Sequence, residues 1–161
     1  MIYRLIGIFC VATLLLSGCK PDIDGELGEP FNKVKGLEGT WTLSSFVQKD
    51  MNNPVKEERD FSSFYIISGE EPLSITFQAA DRSYDVDITN GKNFFGEAGT
   101  WKFDNDAFPT FLIFEEGENS NEFALGSVVR EFDNQLTLEL EKGCDGSSPY
   151  VIYKFNFDRA E

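Results

Sequence analysis

The stretch QLTLELEKGCDGSSPYVIYKFNFD, residues 135–158, decides the fold class. Leu136, Leu138 and Leu140 alternate with Thr137, Glu139 and Glu141, and Val151-Ile152-Tyr153-Lys154-Phe155-Asn156-Phe157-Asp158 alternates in the same way. A strand sends successive side chains to opposite faces, so a period of two marks a ribbon with one side in a core and the other in water. Between the two runs, Lys142-Gly143-Cys144-Asp145-Gly146-Ser147-Ser148-Pro149 has the composition of a turn.

The same period recurs toward the amino terminus. Tyr84, Val86 and Ile88 alternate with Ser83, Asp85 and Asp87, and further strands are expected at 40–47, 64–67, 73–77, 99–103, 110–114 and 123–132. Turn signals separate them at Ser68-Gly69-Glu70-Glu71-Pro72, at Asn90-Gly91-Lys92-Asn93 and at Phe132-Asp133-Asn134-Gln135, the last expected to be a tight hairpin. Outside the amino-terminal apolar run, no window holds helical periodicity for three turns. About nine short strands without helices predict an all-β fold. We expect a single antiparallel up-and-down β-barrel of about eight or nine strands, with a β-sandwich as the alternative. The connection over residues 48–62, QKDMNNPVKEERDFS, exceeds most hairpin loops. Loops of that length are lids, binding loops or mobile surface, and Met51, Val55 and Phe61 give this one apolar content to fold over something.

Gly39-Thr40-Trp41 opens the first strand, after Lys35-Gly36-Leu37-Glu38. Here the chain resembles the lipocalin-like barrels, whose first strand begins Gly-x-Trp, and among them the lipocalin-like domains of bacterial lipoproteins. The resemblance implies that Gly39 turns the backbone into the strand and that Trp41 closes the barrel floor. It also implies a basic side chain from the far end of the chain on the indole: Arg159 first, Arg130 or Lys154 behind it. It implies, further, that the long loop lids the mouth. A second copy, Gly99-Thr100-Trp101, lies sixty residues on, but Phe64-Tyr65-Ile66-Ile67 then falls opposite Ala124-Leu125-Gly126-Ser127, so the chain is not a repeat array.

The amino-terminal run from Leu5 to Leu16 is twelve residues long and follows Arg4, whereas a spanning helix needs about 20. A cationic start and a small-residue exit are those of a secretion signal. Leu16-Ser17-Gly18-Cys19 resembles the lipobox of bacterial lipoproteins, in which the chain is cut before the cysteine and the cysteine is acylated. The resemblance implies a signal peptide over residues 1–18, a lipidated Cys19 with a flexible tether over 19–36, and a barrel domain over 37–161. It places the protein in the cell envelope at the outer membrane, on the periplasmic or surface face, with the bilayer as partner through the anchor. Residues 20–36, with two prolines, three glycines and no apolar period, suit a tether.

Cleavage there leaves 13 basic against 28 acidic residues, a formal charge of −15, which disfavours nucleic acid and anionic headgroups as direct partners. The chain has no histidine, so the commonest general base, the commonest zinc ligand and every Ser-His-Asp arrangement are missing. Cys10 leaves with the signal, Cys19 takes the lipid, and Cys144 has neither a disulfide partner nor a base to activate it. Asp104-Asn105-Asp106 and Glu115-Glu116-Gly117-Glu118-Asn119 offer oxygens without the grammar of a calcium loop and read as solvated turns. No metal, cofactor or enzymatic activity is expected.

Aromatic residues make up 14% of the chain, sixteen of them phenylalanine. One reading has Phe64, Phe77, Phe103, Phe111, Tyr153 and Phe155 lining an apolar cup for a small apolar or amphipathic ligand. The other has them filling the barrel, since an eight-stranded interior is just wide enough for side chains or one small guest. The expected function is ligand binding. The alternative is a non-catalytic module that docks an envelope protein, peptide or glycan through its loops. Mass spectrometry of protein taken from its native membrane is expected to find an acylated amino terminus at Cys19, and Cys19→Ser is expected to leave the signal uncut.

Overall fold

A computed structural model describes residues 30–53, 55, 57–143 and 148–160; Cys10, Cys19, Cys144 and the signal and early tether lie outside them. Nine strands alternate along the chain: β1 (Gly39–Asp50), β2 (Glu58–Asp60), β3 (Ser74–Phe77), β4 (Ser83–Asp87), β5 (Ala98–Phe103), β6 (Phe111–Glu116), β7 (Asn119–Leu125), β8 (Gln135–Lys142) and β9 (Val151–Arg159). β1 pairs antiparallel with β3, each of β3 to β8 pairs antiparallel with the next, and β9 pairs back onto β1, with Trp41 opposite Arg159, Phe46 opposite Phe155 and Gln48 opposite Tyr153. The result is a closed eight-stranded barrel plus β2, a short extra strand against Val47–Lys49. Closure rules out the sandwich. It also removes the unpaired edges that an open sheet exposes.

The alternation puts Leu136, Leu138 and Leu140 inside with Phe155 and Phe157 opposite, all buried. The centre is taken by Phe95, which comes from the β4–β5 connection and not from a strand. Its ring stacks on Phe123 at 4.8 Å and meets Phe155 at 5.0 Å and Phe114 at 5.5 Å. Asn93 holds this inward loop, accepting from the Phe95 N–H at 2.9 Å and donating to the Gly96 carbonyl at 2.8 Å. The Tyr84 hydroxyl donates to the Phe95 carbonyl at 2.9 Å; burial, reinforced by the Glu116 charge, pushes its pKa up to about 12. The middle of the barrel is therefore packed with rings.

At one end of the barrel, the closed end, Arg159 does what the resemblance implied. Its guanidinium carbon lies 4.3 Å from the Trp41 ring centroid. It donates to the carbonyls of Glu38 (2.5 Å), Gly36 (2.7 Å) and Asp133 (3.1 Å). The Trp41 indole N–H donates to the Leu37 carbonyl at 2.8 Å. Gly39 has φ +113, and a Cβ there would sit 3.2 Å from the Arg159 Nη1. The other two candidates are engaged elsewhere. Arg130 lies over Phe31 and Phe132, and Lys154 pairs across the sheet with Val47 and Glu139.

Four local expectations are corrected. Residues 64–67 form no strand: a 3₁₀ turn, Ser62–Phe64, replaces it, started by the Asp60 carboxylate accepting from the Ser62 N–H. That apolar run has no alternation, and Tyr65 alone goes inside while Ile66 and Ile67 stay exposed. The strand expected at 123–132 stops at Leu125, because the Ser127 hydroxyl accepts from the Thr137 N–H and Gly126 makes the last ladder bond to Thr137. Phe132-Asp133-Asn134-Gln135 is consequently not a tight hairpin: it ends a long connection whose Asn134 carbonyl accepts from the Arg159 N–H. The tight turn is at Glu116–Asn119, with Gly117 at φ +59 in the first central position, as a type II′ turn requires. Finally, helix α1 (Lys33–Leu37) occupies the end of the stretch expected to be tether, started by Asn32 accepting from the Lys35 N–H, with Gly36 and Leu37 buried. Five residues are too few for a periodicity test to register.

Arg159→Met keeps much of the stem and loses the charge and donors, leaving three carbonyls short of partners. We expect a loss of about 2–4 kcal/mol in denaturant unfolding, with Trp41 fluorescence shifting to the red.

Candidate functional site

Trp41 and Phe46 lie five residues apart on β1, and at roughly 3.4 Å per residue the strand carries the wall about 17 Å away from the closed end. There the ring packing gives way to an open cup of about 260 Å³. Phe46 and Tyr153 form its wall, from β1 and β9, with centroids 5.9 Å apart and nearly stacked. Phe61, Phe64 and Tyr65 come from the segment after β2; Phe94 comes from the β4–β5 connection. Tyr65 meets Phe46 edge-on at 5.1 Å, and Phe94 lies 5.4 Å from Tyr153. Behind the lining, Phe155 is fully buried and stacks on Phe46 at 4.7 Å.

The loops that supply these rings are tied down. Phe46 N–H donates to the Ser62 hydroxyl at 2.9 Å, and the Phe61 N–H donates to the Phe46 carbonyl at 2.8 Å. The Tyr65 hydroxyl donates to the Lys92 carbonyl at 2.7 Å. Burial pushes the Tyr65 pKa upward, so the phenol stays a neutral donor. Gly91, with φ +90, passes so close that a Cβ there would sit 2.4 Å from the Tyr65 ring. Besides these, Gln48 and Lys92 are the polar side chains of the lining.

Of the residues expected to line a cup, Phe64 and Tyr153 do so. Phe155 does not line it: it is packed behind Phe46 and Phe94. Phe77 and Phe103 point inward, but Phe77 is packed against Trp101 and Phe114 and Phe103 against Trp101, away from the cup. Phe111 has the wrong parity: Leu112 and Phe114 take the inner face of β6, and Phe111 is left 37% exposed outside. Phe46, Tyr65, Phe94 and Lys92 were missed. Phe94-Phe95 was the available signal, since two adjacent rings inside a glycine-flanked turn cannot both be solvated cheaply.

The acidic runs have structural work. The Asp104 carboxylate accepts from the Thr110 hydroxyl at 2.6 Å and from the Thr110 and Phe111 N–H groups at 2.8 Å, which pulls its pKa down to about 2. Asp106 pairs with Arg82 at 2.6 Å, and Glu115 with Lys102 at 2.5 Å. Among the described residues, no three potential metal-ligating acids or thiols converge. A second hollow, about 430 Å³, lies on the outside near the closed end between Phe108, Pro109 and Val128, with Lys33 at its border.

Residues 19–157 match the family model described as Domain of unknown function (DUF5004). No curated protein matches the chain, and no solved structure matches it. Gly91→Ala would combine an unfavourable φ with a collision on Tyr65. We expect it to cost about 1–3 kcal/mol and to raise hydrogen exchange at residues 62–65 and 91–94.

Proposed function

This chain belongs to the DUF5004 family, and from that premise we propose that it is a lipid-anchored, lipocalin-like binding barrel of the cell envelope whose cup holds a small apolar or amphipathic molecule. The observation that carries the reading is the cup itself. Six rings face an open hollow of about 260 Å³, with two polar side chains among them. Exposed aromatic concavities with few, placed polar groups are what small-molecule sites look like. The hollow sits just below the usual range of roughly 300–1,000 Å³, so the ligand is small, or inserts only one ring or chain end. The Trp41–Arg159 closure supports the lipocalin-like assignment. The family match, which starts at Cys19, is in keeping with a mature chain that begins at an acylated cysteine. On this reading the barrel binds its guest and carries out no chemistry on it.

A second reading, docking of an envelope protein, peptide or glycan, is favoured by the outer hollow, where Phe108 is 81% exposed and Val128 55%.

The test is calorimetry on the full acylated chain in lipid nanodiscs, with empty discs as the blank. A neutral, water-soluble ring compound, 1-naphthaleneacetamide, is expected to bind at one site per chain. Phe64→Ser and Tyr153→Ala each remove ring surface and should weaken it about tenfold, whereas Phe108→Ser should leave it unchanged. Absence of saturable binding, or equal binding by all variants, overturns the cup as a ligand site.

A further inference from the structure

We propose that the cup selects ligands that carry one anionic head group on an apolar ring or chain, and that the Lys92 ammonium is the group that reads the head. This rests on the cup being a ligand site and narrows what it takes.

The chain as a whole has twice as many acids as bases, 28 to 14. The cup reverses that balance: among the described residues its lining contains no aspartate or glutamate, and the one charged residue there is Lys92. The Lys92 Nζ lies 4.9 Å from the Phe94 centroid, over a ring that itself lines the hollow. Among the described residues, no carboxylate comes within 4.0 Å of that nitrogen. In so acidic a protein an ammonium without a carboxylate neighbour, at the rim of an aromatic hollow, is a cation left available to a guest.

Its position is built. Gly91 adopts φ +90 against the Tyr65 ring, and the neutral Tyr65 hydroxyl donates to the Lys92 carbonyl at 2.7 Å. The backbone that carries the ammonium is thus clamped to the same residue that lines the cup. Attraction to the face of Phe94 holds the side chain on the cup side of the rim. Gln48, the other polar side chain of the lining, has an amide that can donate to the same head group. A carboxylate or sulfonate here would be in direct charge-assisted contact, and any acid of the protein more than about 8 Å away would be screened from it at physiological salt. The local cation outweighs the global negative charge. A cationic head would meet repulsion from the Lys92 ammonium.

The matched pair 1-naphthaleneacetate and 1-naphthaleneacetamide shares one ring system and differs in the charge of the head. With full acylated chain in nanodiscs, the acetate is expected to bind at least about fivefold more tightly than the amide. Within the Lys92→Met variant the acetate should lose its advantage and bind no more tightly than the amide, and within Lys92→Glu the acetate should be the weaker of the two. If the amide binds and the acetate is no tighter, or if Lys92→Met leaves the acetate's advantage intact, the head-group assignment is wrong and the cup survives as a neutral site. If neither compound binds, the cup reading fails and takes this inference with it.

Discussion

A single guanidinium joins the first and last strands of the barrel. Arg159 is the last residue of the last strand, and it reaches the carbonyls of Gly36 and Glu38 around the first strand's entry while lying on the Trp41 indole. A guanidinium cannot shed its proton in water, so a partly buried one must keep its hydrogen bonds or be expelled. Here it keeps three, all to backbone carbonyl oxygens. The contact fixes the β1–β9 register at one end, from Trp41 opposite Arg159 to Leu43 opposite Phe157; past an irregularity between Leu43 and Ser45 the pairing resumes one residue out of step, at Ser45 opposite Asn156. It also recruits the β7–β8 connection through the Asp133 carbonyl, so one side chain organises helix, first strand, last strand and closing loop.

Once the wall is closed, volume becomes the limiting quantity. An eight-stranded barrel can either be filled or hold something small, and this one is largely filled, by Phe95 from a loop and by Phe77, Phe114, Phe123, Phe155 and Phe157 from strands. Each ring removes roughly 150–250 Å² from water, which favours packing over vacancy. The aromatic supply runs out only near the end away from Arg159, where the loop rings are splayed and meet solvent. Binding therefore belongs at the rim, and the deep interior serves as its rigid support.

How much of this could be read in the residues depends on whether the information was local. Leu136-Thr137-Leu138-Glu139-Leu140 announces its strand because parity is written along five consecutive positions. Gly39-x-Trp41 pointed across the molecule to Arg159 only because a family resemblance bridged a separation that spacing alone leaves open. Phe64-Tyr65-Ile66-Ile67 misled, since an unbroken apolar run carries no parity and its fate was settled by the Asp60 and Ser62 side chains beside it. The cup was the least legible part. Phe46, Tyr65, Phe94 and Tyr153 are brought together by closure of the sheet and by Gly91, and nothing at any one of those positions names the other three. Lys92 looked like one more turn residue until the ring beneath it was located.

The cup draws its rings from two kinds of source. Phe46 and Tyr153 stand on paired strands of the wall, while Phe61, Phe64, Tyr65 and Phe94 sit on connections whose lengths the ladder does not dictate. That division lets natural variation swap the upper tier of the receptacle while the chassis stays put. Homologues could thus diverge in diet through short insertions and single replacements in two segments, and an engineer wishing to retarget the vessel would have the same two segments to rewrite.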